Sequence, residues 1–171
     1  MDEINNILVV DDEKVVREGC KRVLTGKGFE VFMAENGQQA MDMLDETVDL
    51  MLLDLKMPVM GGEQVLEKTN ALFPDVPVII ITGHGTIDTA VECMKQGAYD
   101  FITKPFEKEV LLQVVQKALE RSRLLRENLS LKRKIGAQAA LSSFVGQSAP
   151  LFPQRGPTTW NLALRIHARQ V

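Results

Sequence analysis

The chain has 171 residues, 45% of them hydrophobic, with 20 Lys plus Arg against 23 Asp plus Glu and a formal charge of −3. That length accommodates one ordinary domain with an extension, and that composition is ample for a buried core, so disordered and fibrous classes are excluded. From Gly136 onward there are three Arg and no acids, so the part before it carries 17 basic and 23 acidic groups, net −6, with no basic bias toward nucleic acid.

The opening residues MDEINN are acidic and polar and run straight into an apolar stretch, unlike a signal peptide. No apolar run reaches membrane-spanning length, and a cytoplasmic setting is expected. Cys20 and Cys93 fall within helical patterns with no close-spaced partner, so they read as small core residues in a reducing compartment.

In chain order, Ile7 to Val10 is an apolar run that ends in Asp11, Asp12 and Glu13. Val15 to Thr25 reads as an amphipathic helix closed by Gly26 and Gly28. Phe29 to Ala34 gives a second strand, and Gln38 to Glu46 carries apolar residues at helical spacing. Leu50 to Leu53 is apolar without interruption and is followed at once by Asp54. Such a run suits a strand buried on both faces, and a carboxylate at its end needs explaining. Beyond Pro58 and Gly61-Gly62, a helix is expected over Glu63 to Leu72, and Pro74 and Pro77 bracket a turn.

Val78 to Ile81 is a fourth strand, almost purely β-branched, ending in Thr82. Thr86 to Gln96 reads as a helix stopped by Gly97. Asp100 to Thr103 is a fifth strand that ends in Lys104-Pro105, and Lys108 to about Lys134 is one long helical pattern. Strand and helix thus alternate five times. This implies an α/β fold, a doubly wound parallel sheet with right-handed crossovers and helices on both faces.

In such sheets ligands bind beyond the carboxyl ends of the strands. Asp11 and Asp12, Asp54, Thr82 and Lys104 all stand at strand ends, where they can converge on one crevice. Three or more carboxylates gathered there cost too much unless a cation neutralises them, and oxygen ligands without His or Cys favour Mg²⁺ over Zn²⁺. A lone His84 in a Gly-flanked loop is read as solvent-exposed, and GHGT has neither nucleotide-binding spacing.

The segments VVDDE, LLDLKMPVMGG, IIITGHG and YDFITKPF together resemble the receiver domain of bacterial two-component response regulators, over about Ile7 to Leu119. The resemblance implies a flavodoxin-like five-stranded sheet of order 2-1-3-4-5 with an extended C-terminal helix. It implies that Asp54 accepts a phosphoryl group from a sensor histidine kinase. Asp11, Asp12, Asp54 and the backbone carbonyl of Lys56 would hold Mg²⁺, Asp11 through water. Lys104 would meet the phosphoryl oxygens, Thr82 would sense them through its hydroxyl, and Phe101 would stand at the switch-aromatic position, where many relatives have Tyr. The switching surface would be helix 4, strand 5 and helix 5.

No enzyme activity beyond assisting its own phosphorylation and dephosphorylation is implied, and neither a nucleic acid nor a membrane is an expected partner. Two alternatives remain: a phosphorylation-independent interaction module, and an aspartyl-phosphate phosphotransferase or phosphatase. The latter commonly has a second Asp two residues after the nucleophile, where this chain has Lys56.

In the long helical pattern Leu111, Val115, Ala118, Ser122, Leu125 and Leu129 recur at steps of four and three, a candidate coiled-coil seam and homodimer contact. The expected organisation is a receiver domain over 1–121, a helical linker over 122–135, and a disordered or non-native tail over 136–171. Within that tail, LSSFVGQSAPL resembles the opening of the AAA+ domain in activators of the alternative sigma factor. No G-x-x-x-x-G-K-[ST] phosphate loop follows it, so no ATPase is expected in this chain.

Overall fold

The computed structural model describes residues 4–148 except His84, with side chains to residue 143. The opening residues 1–3, His84 and the tail from 149 lie outside the described residues, and so do the readings that fell on them. The elements are β1 (Asn6–Val10), α1 (Lys14–Thr25), β2 (Glu30–Ala34), α2 (Gly37–Met43), β3 (Leu50–Leu53), α3 (Gly62–Leu72), β4 (Val78–Thr82), α4 (Ile87–Lys95), β5 (Asp100–Thr103) and α5 (Lys108–Ser148). All four strand pairings are parallel and the sheet order is β2-β1-β3-β4-β5. This is the flavodoxin-like order.

The strands alternate their side chains between two cores, as a period of two requires. Leu8, Val10, Met51, Leu53, Val78 and Ile80 face Ala40 and Leu44 around α2, Val65 and Leu66 of α3, and Cys93 of α4. Ile7, Val9, Leu50, Leu52, Ile79 and Ile81 face Cys20 and Leu24 of α1 and Leu111, Val115 and Ala118 of α5. The middle strands are therefore apolar on both sides, which is why they read as unbroken runs. Both cysteines are free and buried.

Two local features position the strand ends. Asn36 and Thr86 cap α2 and α4, their side chains accepting from the N–H of Gln39 and Thr89. Gly62 opens α3 so close to β3 that a Cβ there would run into the Asp54 carbonyl oxygen, and its N–H donates to Leu55 O at 2.9 Å. Only glycine lets that helix start directly behind Asp54.

The chain divides into two compact units, Met1–Arg126 and Glu127–Val171. In the first, Leu111, Val115, Ala118 and Ser122 are buried. The heptad-like spacing at these four positions is thus the face of α5 that packs on the sheet, not a coiled-coil seam; a repeat of this period marks a buried stripe without saying what covers it. In the second unit, Leu129, Leu131, Ile135 and Leu141 are exposed. Helical structure continues to Ser148, beyond the expected end near Lys134. Ala137, Gln138, Ala139, Ala140 and Leu141 are strong helix formers, and a single Gly136 costs only about 1 kcal/mol.

Candidate functional site

The register of the sheet builds the site. Val10 pairs with Leu53, so the next residues, Asp11 and Asp54, leave neighbouring strands side by side. The Asp54 N–H donates to Val10 O at 2.9 Å and the Asp11 N–H to Ala34 O at 3.1 Å, which fixes both backbones. On the far side of β4, Thr82 pairs with Thr103. The Lys104 N–H donates to Thr82 O at 2.9 Å, so the lysine, which follows directly on β5, is tied to the end of β4 and reaches across it. The Lys104-Pro105 peptide is cis.

Lys104 Nζ lies 2.6 Å from Asp11 Oδ2, 3.1 Å from Glu13 Oε1 and 3.4 Å from Asp54 Oδ2. Asp11 and Asp54 are buried, at 2% and 4% exposure, whereas Asp12 and Glu13 face solvent. Carboxylate oxygens of Asp11, Asp12, Glu13 and Asp54 all lie within 4.8 Å of one another. The ammonium contacts three of these four carboxylates.

The electrostatics follow. Burial raises the Asp54 pKa above the ordinary carboxylate value, and the charge of Asp11 adds to it, although Lys104 and the Lys56 N–H, 3.3 Å from Asp54 Oδ1, pull the other way. Burial works against the Lys104 ammonium, but hydrogen bonds to Asp11 and Glu13 and the charges of Asp11 and Asp54 outweigh it, so its pKa is raised. Burial, reinforced by the charge of Asp11, pushes the Cys20 thiol up to about 11, which keeps it protonated.

A divalent ion fits this donor set. The ligands are oxygens only, and an ion bonded at about 2.1 Å spans oxygens up to about 4.2 Å apart, so small side-chain rotations close the cluster onto it. Of the residues singled out in the sequence, Asp11, Asp12, Asp54 and Lys104 come together here, with Lys56 joining through its backbone N–H and its side chain exposed. Thr82 ends β4, 1% exposed. Phe101 is half-buried, and its ring lies against Gly85 so closely that a Cβ at Gly85 would come within 2.5 Å of the Phe101 Cζ.

Two residues acquire a place that sequence reasoning did not give them. Glu13 belonged to the acidic run but had no role assigned, and it now shares Lys104. Arg17 read only as part of the polar face of α1, yet its Nη1 donates to the carbonyls of Asp11 at 2.7 Å and Asp12 at 3.0 Å. An Arg one turn into the helix after an acidic loop is the signal that could have found it.

Residues 7–116 match the response regulator receiver domain. The chain belongs to that family. An NtrX-like response regulator of Rickettsia bellii is 42% identical over 133 residues, covering 76% of this chain and 28% of that protein. The crystal structure of the receiver domain of NtrX from Brucella abortus is 38% identical with a TM-score of 0.64, covering 67% of this chain and 98% of that one. The solution structure of the beryllofluoride-activated NtrC4 receiver domain dimer is 35% identical with a TM-score of 0.65, covering 68% and 98%. This receiver chain thus spans under a third of the length of the full-length curated relative. Among its described residues, no helix is long and apolar enough to cross a membrane.

Proposed function

We propose that this receiver domain takes a phosphoryl group on Asp54 from the phosphohistidine of a sensor kinase and acts in the cytoplasm as the switch of a transcriptional regulator. The observation that carries this reading is the adjacency of Asp11 and Asp54 at the ends of β1 and β3, with the Lys104 ammonium bridging them. A buried carboxylate with an ammonium beside it and a cation site in front of it has what phosphoryl transfer asks of a protein, which is positioning and charge neutralisation. An Asp54 oxygen forms a bond to phosphorus while the phosphorus–nitrogen bond of the phosphohistidine breaks and the imidazole leaves.

Asp11, Asp12, Asp54 and the Lys56 carbonyl would hold Mg²⁺, which when bound offsets the charge of the carboxylates and the incoming phosphoryl oxygens. Glu13 stands close enough to join them. Lys104 is a point charge that would exchange a carboxylate partner for a phosphoryl oxygen. Thr82 would donate its hydroxyl to that group, and Phe101 would follow it, altering the surface of α4, β5 and α5. We assign the receiver domain to 1–121 and a connecting helix to 122–135; a homodimer is the form in which the switch is read out, as in the NtrC4 receiver domain dimer.

Incubation of the protein with acetyl phosphate and Mg²⁺, followed by intact-mass measurement, tests the reading. The wild type is expected to gain one phosphoryl group, stable to acid and labile to base and hydroxylamine, and Asp54→Asn to gain none. Phosphate on Ser, Thr or His would overturn it.

A further inference from the structure

We infer that Arg17 is a positioning residue for the cation site, acting through the backbone of Asp11 and Asp12; this deepens the proposed Mg²⁺-dependent function and rests on it. The Arg17 guanidinium joins two loops. Its Nη1 donates to Asp11 O and Asp12 O, and its Nη2 stands 3.7 Å from Glu35 Oε2, at the end of β2. The Arg17 side chain is only 12% exposed while that of Glu35 is 64% exposed, so the arginine is held by the loop it binds and not by its surface partner.

The geometry explains what the fork does. Asp12 is exposed, and the loop from Asp11 to Glu13 is short and acidic. Asp11 Oδ1 accepts from the Glu13 N–H at 2.8 Å, the Asp11 N–H is held by Ala34 O and the Glu13 carbonyl by the N–H groups of Val16 and Arg17, while the Asp11 and Asp12 carbonyls between them are the groups that the Arg17 side chain takes. Two carbonyls bonded to one nitrogen fix both peptide planes, and those planes set where the Asp12 side chain leaves the backbone. The same positive charge stands beside the acidic loop and adds to that of Lys104 in offsetting its like charges. An ammonium could take one or both carbonyls but could not reach Glu35 at the same time, because it lacks the planar fork. Groups that orient metal ligands in this way commonly change metal affinity about tenfold or more when removed.

The test is isothermal titration calorimetry of Mg²⁺ into the full chain at pH 7.5, with circular dichroism and urea unfolding of each metal-free variant alongside. Arg17→Met is expected to weaken Mg²⁺ binding about tenfold. Arg17→Lys should fall between it and the wild type, and Glu35→Gln, which removes only a surface partner, should change affinity about twofold at most. A purely structural arginine would lower the urea midpoint and leave the Mg²⁺ dissociation constant of the folded protein unchanged, and that result in folded Arg17→Met overturns the inference. Should Arg17→Met not fold, Arg17→Gln takes its place, since its shorter neutral amide brings neither the charge nor the reach to hold both carbonyls, and wild-type affinity there overturns the inference equally. A wild type that binds no Mg²⁺ overturns the metal reading itself, a failure distinct from one confined to the variants.

Discussion

Lys104 Nζ is 2.6 Å from Asp11 Oδ2 but 3.4 Å from Asp54 Oδ2. The ammonium is therefore held mainly by the carboxylate of β1, and the carboxylate proposed to take the phosphoryl group keeps only a long contact with it. That asymmetry suits a nucleophile, because a lone pair tightly bonded to an ammonium is a poorer attacker, and it leaves the lysine anchored within reach of an arriving phosphoryl oxygen.

The same contact predicts a stability effect. Removing one partner of a buried ion pair leaves uncompensated charge, at a cost of about 3 kcal/mol. Lys104→Met should therefore unfold at lower urea in metal-free buffer, and the Lys104 side chain is only 13% exposed, so screening by water does not erase the effect. Added Mg²⁺ should then stabilise this variant more than the wild type, since the ion no longer shares the carboxylates with an ammonium. Equal urea midpoints for the two metal-free proteins would mean that these contacts contribute nothing net.

Asp54 makes a prediction with the opposite sign. Its pKa is raised in the folded state, chiefly by burial, so the folded chain holds this proton more tightly than the unfolded chain does. Stability from this group is present at low pH and is lost as pH rises from the ordinary carboxylate pKa through the raised folded value. Asp54→Asn, which never ionises, should then be more stable than wild type in metal-free buffer at pH 7. The gap should close as both are titrated to pH 3, and the variant should lose the stabilisation that Mg²⁺ gives. Urea titrations at a series of pH values that found the wild type more stable at pH 7 would count against burial as the dominant cause.

Much of this was written in the sequence because the physics was local. Leu50 to Leu53 is apolar throughout because β3 is covered on both sides, and Asp54 stands out for the same reason. Asp11 and Lys104 were legible as strand-end residues, but their meeting at 2.6 Å depends on a sheet order that came from resemblance. Leu111, Val115 and Ala118 entered the candidate seam because helical periodicity is the same whether a sheet or a second helix covers the stripe, and in the structure they pack on the sheet. Arg17 was passed over because its partners are backbone carbonyls, which leave no trace in residue identity, and only its place one turn into the helix after the acidic loop hints at them. Gly85 passed as loop punctuation, although its missing side chain is where the Phe101 ring rests.

That ring contact can be broken deliberately. A Cβ on Gly85 would meet Phe101 Cζ at 2.5 Å, closer than real Cβ contacts allow, so in Gly85→Ala the aromatic ring must leave its present position. Overpacking of this kind costs about 1–3 kcal/mol. In the double variant Gly85→Ala/Phe101→Ala the ring clash is gone and only the Thr103 Cγ2 contact at 3.1 Å remains, so the Gly85 substitution should cost markedly less there than in the wild-type background. A double-mutant cycle in urea with a coupling energy indistinguishable from zero would show that the two residues do not share this space.

The last prediction concerns output. Thr82, buried at the end of β4, is tied to Lys104 through its carbonyl, and Phe101 lies on the neighbouring strand against the loop that leads into α4. Pulling Thr82 toward a phosphoryl group would therefore disturb the start of α4. That helix exposes Ile87 at 83% and Val91 and Met94 at 46% each, at steps of four and three, an apolar stripe that the described chain covers only in part. A second copy is the natural cover, since an isologous contact needs only one self-complementary surface. A phosphoryl mimic can act only by favouring one of two packings of this face. Beryllium fluoride with Mg²⁺ should accordingly shift the monomer–dimer balance of residues 1–135 by about tenfold or more in dissociation constant, a coupling of at least about 1.4 kcal/mol. Thr82→Ala should still accept phosphate on Asp54 while showing a smaller shift, and Met94→Glu, which places a charge in the stripe, should weaken the dimer in either state. Sedimentation velocity that returned one dissociation constant with and without beryllium fluoride would separate the chemistry of Asp54 from self-association and leave the α4 stripe to a different partner.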